Sequence, residues 1–484
     1  MAGANCDAVA QDTSVLTYHG DFARNGAFVV PGLTWERARA LHLDTGFEGY
    51  FSGHVYAQPL YWRDSGPGSG LLIVVTEEDG VHALDAQTGK PIWDRSLGKP
   101  VPLDSLPCGN IDPLGITGTP VIDEASQAIY LDAFVADPSG PKHLVFGLSL
   151  RDGSTVEGWP VDVGEALRSA GQTFNPRDQN QRGALTILGG SVYVPFGGRF
   201  DCGDYHGWVV GISIGNPNSV RAWSTRASGG GIWAQGGISS DGRALYVATG
   251  NTTSATEWSD GEAVIRLAPD LRRSNANDDY FAPADWRSLD DNDADLGSTN
   301  PLLLDVPTAE ATQTVVLALG KDRRAYLLDR SHLGGIGGAL AVQNVATGAI
   351  ITSPRPRRRV CRVPGRRSEL CGNRWKPDRA RRPARRTSNA LYSLVCNGKR
   401  RRIPNRDHYG RALEFHRLDR RSRGRQSPAR VSWRYRRADL HRRWLRRSYD
   451  RLAPFPNSHR RSESALRGRR RPRLRIRVLT ASGQ

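Results

Sequence analysis

Two stretches of this chain carry carboxylates at spacings that could hold a cation or a ligand. In LDDNDADLG (289–297), Asp291, Asp293 and Asp295 alternate ahead of Gly297, as hard oxygen donors do in a loop wrapped around calcium. No Glu stands where it could close such a loop with two oxygens, and Asp305 and Glu310 fit that role poorly. A solvated turn rich in Asp is the alternative reading. In RFDCGDYHGW (199–208), Asp201, Cys202, Tyr205, His206 and Trp208 fall within one short loop, which makes it a candidate ligand site. No second Cys or His lies at metal-ligand spacing, so a packed loop held by a disulfide is the competing reading. GGGIWAQGG (229–237) presents Trp233 on a glycine-rich loop, suited to a glycan or a protein partner, or to docking between elements. Lys321, in GKDRRAYLLD, adds one cation.

Residues 1–354 hold three cysteines, Cys6, Cys108 and Cys202, an odd count that leaves one without a partner. Cys108, in LPCGN, is the expected partner of Cys202 if both lie on one face of the molecule.

The elements that must position these residues are β-strands. LLIVVT (71–76) precedes VHALD (81–85), and QAIYLDAF (127–134) precedes HLVFGLSL (143–150). SVYVPFG (191–197) with GWVVGIS (207–213), ALYVATG (244–250) with EAVIRLA (262–268), and TVVLALG (314–320) with RAYLLD (324–329) repeat the arrangement. Each is a pair of apolar, β-branched runs joined by a turn or short loop. Helical periodicity is confined to short stretches at 34–42 and 164–170. The pairs recur about every 45–55 residues, the period of four-stranded propeller blades. Five blades are recognisable before residue 354, and five blades of a larger propeller leave the ring incomplete. The expected fold is therefore all-β: a partial β-propeller over 14–354, after a leader remnant or flexible arm at 1–13.

The sharpest repeat signature is ALDAQTGKPIW, with Ala83, Asp85, Gly89, Lys90 and Trp93 at fixed offsets. Its Asp and Thr-Gly make a tight turn between the third and fourth strands of a blade, and Trp93 then lies between neighbouring blades. LSLRDGSTVEGW (148–159) is a looser copy ending in Trp159. This motif resembles the tryptophan-docking motif of quinoprotein alcohol dehydrogenase-like propellers. LTYHGDFARNG (16–26), HVYAQPLYW (54–62), LYVATGN (245–251), DLGSTNPLLL (295–304) and AYLLDR (325–330) are similar to segments of bacterial secreted propellers of the PQQ-like repeat type. The resemblance implies a periplasmic or extracellular protein, although no signal peptide is visible and no apolar run is long enough for a membrane helix. For the PQQ-dependent alcohol dehydrogenases of that group, it implies PQQ and calcium, vicinal cysteines against the quinone, and a catalytic Asp. No vicinal cysteine pair occurs here, and the calcium ligands and catalytic Asp are not assigned to positions.

Charge separates the rest of the chain. Residues 1–354 carry 24 Lys and Arg against 41 Asp and Glu, whereas 355–484 carry 43 against 8. The tail has 41 arginines and two lysines, an Arg-only bias unlike the mixed composition of nucleic-acid-binding tails. Its composition reads as GC-rich DNA in the wrong frame. With permitted codons, residues 429–441 read from the second base as HGFRGDTGEPIF, a blade turn, and two further stretches give strand-like sequence at the same offset. The expectation is a frameshift near Pro354 that displaced the closing blades and left a disordered tail. A nucleic-acid-binding tail is the alternative.

The functional expectation is an exported, monomeric binding or scaffold module. Its partner is a small molecule, glycan or protein at the channel face, and nucleic acid is not the expected partner. A quinoprotein oxidoreductase relative is the enzymatic alternative.

Overall fold

The computed structural model describes residues 14–354 except 29, 31, 64–69, 275 and 309–310. It also describes the backbone of two short strands, Leu474–Arg475 and Leu479–Thr480. The expected disordered tail and leader remnant otherwise lie outside the described residues. The described residues belong to one compact unit, Met1–Gly398 with Arg471–Gln484.

Five antiparallel blades follow one another along the chain. Blade one comprises Leu60–Trp62, Leu71–Val75, Gly80–Asp85 and Pro91–Ser96. Blade two comprises Val121–Asp123, Ala128–Val135, Lys142–Ser149 and Val161–Asp162. Blade three is built on Thr186–Leu188, Ser191–Gly198, Trp208–Ser213 and Val220–Ser224, with Gln179–Asn180 added at one end. Blade four comprises Ser239–Ser240, Leu245–Thr249, Ala263–Leu267 and Tyr280–Ala282, the last pairing in parallel with Gly335–Ile336. Blade five comprises Leu302–Pro307, Thr312–Leu319, Arg324–Asp329 and Ala341–Asn344. The five predicted strand pairs are the second and third strands of these blades. Seven of eight residues are buried in both Ala128–Val135 and Ser191–Gly198, because neighbouring blades cover both faces of a blade. Outer strands such as Pro91–Ser96 bury only Trp93.

Four hydrophobic clusters each span two consecutive blades, from one with two to four with five. A fifth cluster, around Leu302, Val315 and Leu327, draws on blade five and its flank alone. The contacts are those of an open arc, with a blade face left over at its end. At the other end, Tyr50–Phe51 lies against blade one, its Phe51 ring 5.9 Å from His82. Tyr50–Phe51 pairs with Leu474–Arg475, and His42–Leu43 with Leu479–Thr480.

The turn motif works as its residues require. Thr88 donates to the Asp85 carboxylate through both its N–H and its hydroxyl, at 2.7 Å each. Gly89 sits at φ +76°, where an added Cβ would meet the Gly49 nitrogen at 2.5 Å. Trp93 Nε1 donates to the Leu150 carbonyl of blade two at 3.0 Å, and Trp159 packs in the cluster between blades two and three.

A hub at the centre of the arc ties the blades together. Val15 pairs with Tyr61 of blade one, and the Leu16, Phe22 and Ala23 carbonyls accept from Ile122, Ser240 and Leu303 of blades two, four and five. Arg24, fully buried, donates to the carbonyls of Leu185 and Ile238 and to Thr186 Oγ1. Burial lowers its pKa to about 9, yet the guanidinium finds partners in every direction, which is what makes a buried Arg tolerable.

Candidate functional site

The loops leading into the blades converge on a cavity of about 420 Å³. Trp233 supplies an aromatic wall. Its loop is glycine-rich because backbones pass in contact there: Gly250 N–H donates to Gly231, Gly230 N–H donates to Asn251, and a Cβ on Gly207 would fall 2.0 Å from the Gly230 oxygen. Two cations approach the indole, Lys321 Nζ at 5.1 Å and the Arg182 guanidinium at 5.7 Å from the ring centroid.

Lys321 comes from the turn between the second and third strands of blade five, and its N–H donates to the Asp295 carbonyl at 2.9 Å. Its ammonium bridges Asp293, at 2.5 Å, and Asp295, at 2.8 Å. Asp295 is only 3 % exposed and also accepts from the Asn251 N–H at 3.2 Å. Burial pushes the Asp295 carboxyl up, and Lys321 opposes that shift. Burial likewise works against the Lys321 ammonium, but Asp295 and Asp293 outweigh it and hold its pKa above the usual value. Glu262 lies behind this wall, wholly buried, its Oε2 accepting the Leu296 N–H at 2.7 Å.

The predicted residues divide. Asp201, Tyr205, Trp233, Asp293, Asp295 and Lys321 line the cavity, and Tyr205 donates to Asp201. Cys108 also lines it and forms a disulfide with Cys202, with 6.3 Å between the Cα atoms, stapling the 103–114 loop to the 199–206 turn. Trp208 does not reach the cavity; it packs against Phe174 in the core. His206 turns to the Thr225 carbonyl, at 2.9 Å, and Asp291 is exposed at the end of the Trp286–Asp291 helix.

Among the described residues, no three His, Cys, Asp or Glu side chains come together as a metal-holding group. Asp293 and Asp295 are bridged by an ammonium, and Asp291 is exposed and does not line the cavity. This arrangement does not fit the calcium loop that is one of the two readings of the alternating carboxylates.

Arg182, Asn251 and Glu262 were not singled out from the sequence. They reach this region from the 182, 251 and 262 loops, and no local spacing relates them.

No family model matches the sequence, and no curated protein does. Solved structures do. A quinohemoprotein alcohol dehydrogenase from Comamonas testosteroni superposes at TM-score 0.52 with 17% identity, over 69% of this chain and 50% of that one. The fold is that of the quinoprotein-type propellers. A europium-containing methanol dehydrogenase matches at TM-score 0.49 and 15% identity, over 68% of this chain and 58% of that one. At these identities the likeness carries the fold and no assignment of activity. The chain spans half the length of the Comamonas enzyme.

Proposed function

We propose that the cavity binds a planar, acidic small molecule on Trp233, and that a quinone of the PQQ type is that molecule. The observation that carries this reading is the pair of cations flanking one indole, Lys321 at 5.1 Å and Arg182 at 5.7 Å. A flat polyanion gains stacking from the indole and charge-assisted hydrogen bonds from the cations. PQQ supplies two-electron oxidation chemistry when bound. Trp233 would hold its plane, and Arg182 and Lys321 its carboxylate or carbonyl oxygens. Calcium has no part in this reading.

A dehydrogenase is the second reading. It is favoured by Asp295, a buried carboxylate on the cavity wall that could take a proton from a bound alcohol. The Cys108–Cys202 disulfide suits an oxidising compartment and so supports the export that either reading entails. No helix among the described residues is long and apolar enough to cross a membrane.

A thermal-shift panel tests the proposal. PQQ raises the melting temperature of the wild-type chain in the presence of a chelator, while neutral glycans leave it unchanged. A rise with glycans and none with PQQ moves the function to a carbohydrate-binding scaffold.

A further inference from the structure

The wall behind Asp295 has too many acids for its one ammonium. Glu262, Asp290, Asp293 and Asp295 act on one another there, and Lys321 is the cation that bridges two of them. Asp290 is satisfied by Thr252, from both its N–H and its hydroxyl. Asp293 and Asp295 share Lys321. Glu262 is left over.

Its geometry is specific. Oε2 accepts the Leu296 N–H at 2.7 Å, while Oε1 is buried without a donor. Bulk solvent does not reach it, since the residue has no exposed surface. The group within hydrogen-bonding reach of its carboxyl is another acceptor, the Asp295 carboxylate. Two ionised carboxylates in contact in a dry interior repel by several kcal/mol, and an orphaned acceptor adds its own cost. One proton between them removes both penalties. The proton belongs on Glu262, because Asp295 has Lys321 and the Asn251 N–H to stabilise its charge.

We propose that Glu262 is a neutral carboxylic acid at physiological pH, donating through Oε1 to Asp295 and so positioning that carboxylate and Lys321 on the cavity wall. Glu262 touches no ligand; it acts through Asp295. The assignment concerns the protein without ligand, and only its effect on binding rests on the quinone reading above.

The test is infrared difference spectroscopy of the full chain at neutral pH, comparing wild type with Glu262→Gln and Asp295→Asn. Glutamine preserves both hydrogen bonds, accepting from Leu296 and donating to Asp295. The expected result is a protonated-carboxyl band in wild type that disappears in Glu262→Gln and shifts in Asp295→Asn, where its acceptor has changed. Glu262→Gln keeps the wild-type melting temperature and binds PQQ within about twofold of wild type, whereas Glu262→Leu weakens PQQ binding at least about tenfold. A wild-type spectrum with no band lost in Glu262→Gln overturns the proposal, as does a Glu262→Gln chain destabilised as much as Glu262→Leu. If the band behaves as expected but PQQ fails to bind wild type, the shared proton stands and the quinone reading falls.

Discussion

Blades one and five carry the same turn with opposite charge at the same place. Val75 pairs with Val81 and Leu319 with Ala325, so Thr76–Gly80 and Gly320–Arg324 are equivalent five-residue connections. Both place their fourth residue at positive φ, Asp79 at +53° and Arg323 at +70°. In both, the second residue donates its N–H at 2.9 Å to the segment leading into its own blade, Glu77 to His54 and Lys321 to Asp295. What differs is the side chain. Glu77 turns inward, 1 % exposed, and its Oε2 accepts the Gly115 N–H of the segment entering blade two at 2.8 Å. Lys321 turns to the cavity and its carboxylates. The first position latches one blade to the next, and the second equips a site. The backbone alone assigns neither role; the residue placed on it does.

The largest expected effect comes from exchanging the charge in blade one. Glu77→Lys puts an ammonium against a backbone N–H in a dry interior and costs on the order of 3–5 kcal/mol in urea unfolding. Wild-type stability in that variant would mean that position 77 is no latch.

Next comes pH. Burial raises Glu77 to about 7, and burial with Asp132 and Glu77 nearby raises Asp79 to about 9, both above their unfolded values. The folded chain therefore keeps protons that the unfolded chain has already released. The two groups' contribution to stability is complete below about pH 4 and is lost as pH rises to about 9, by on the order of 3 kcal/mol or more per group. Melting curves across that window should show the fall, and Glu77→Gln with Asp79→Asn should flatten it. A stability that climbs with pH contradicts the protonated pair.

The smallest effect belongs to blade five. Lys321→Met costs less, about 1–3 kcal/mol, because Asp293 stays in contact with solvent while the buried Asp295 loses its counter-ion and takes up a proton. Equal losses at positions 77 and 321 would erase the distinction between latch and site.

The contrast also explains what the sequence made legible. The long second and third strands were visible because burial on both faces leaves uninterrupted Val, Ile and Leu. The innermost strands were not, since Ser239–Ser240 and Val121–Asp123 are too short to show a period. Trp233, Lys321, Asp293 and Asp295 stood out as residue types, but their meeting did not. By spacing, Asp293 and Asp295 read either as a calcium loop or as a solvated turn, and neither reading contains Lys321, 28 residues from Asp293, which lies between them. Arg24 was one basic residue in a loop, and only the converging carbonyls of blades three and four show why it is there.

The most direct test of the cavity's role is a calorimetric titration of PQQ into wild type and Lys321→Glu, with a chelator present. The account predicts one bound quinone per wild-type chain and a loss of about a hundredfold or more in affinity when a third carboxylate replaces the ammonium. No binding to wild type, or equal binding to both chains, would contradict it.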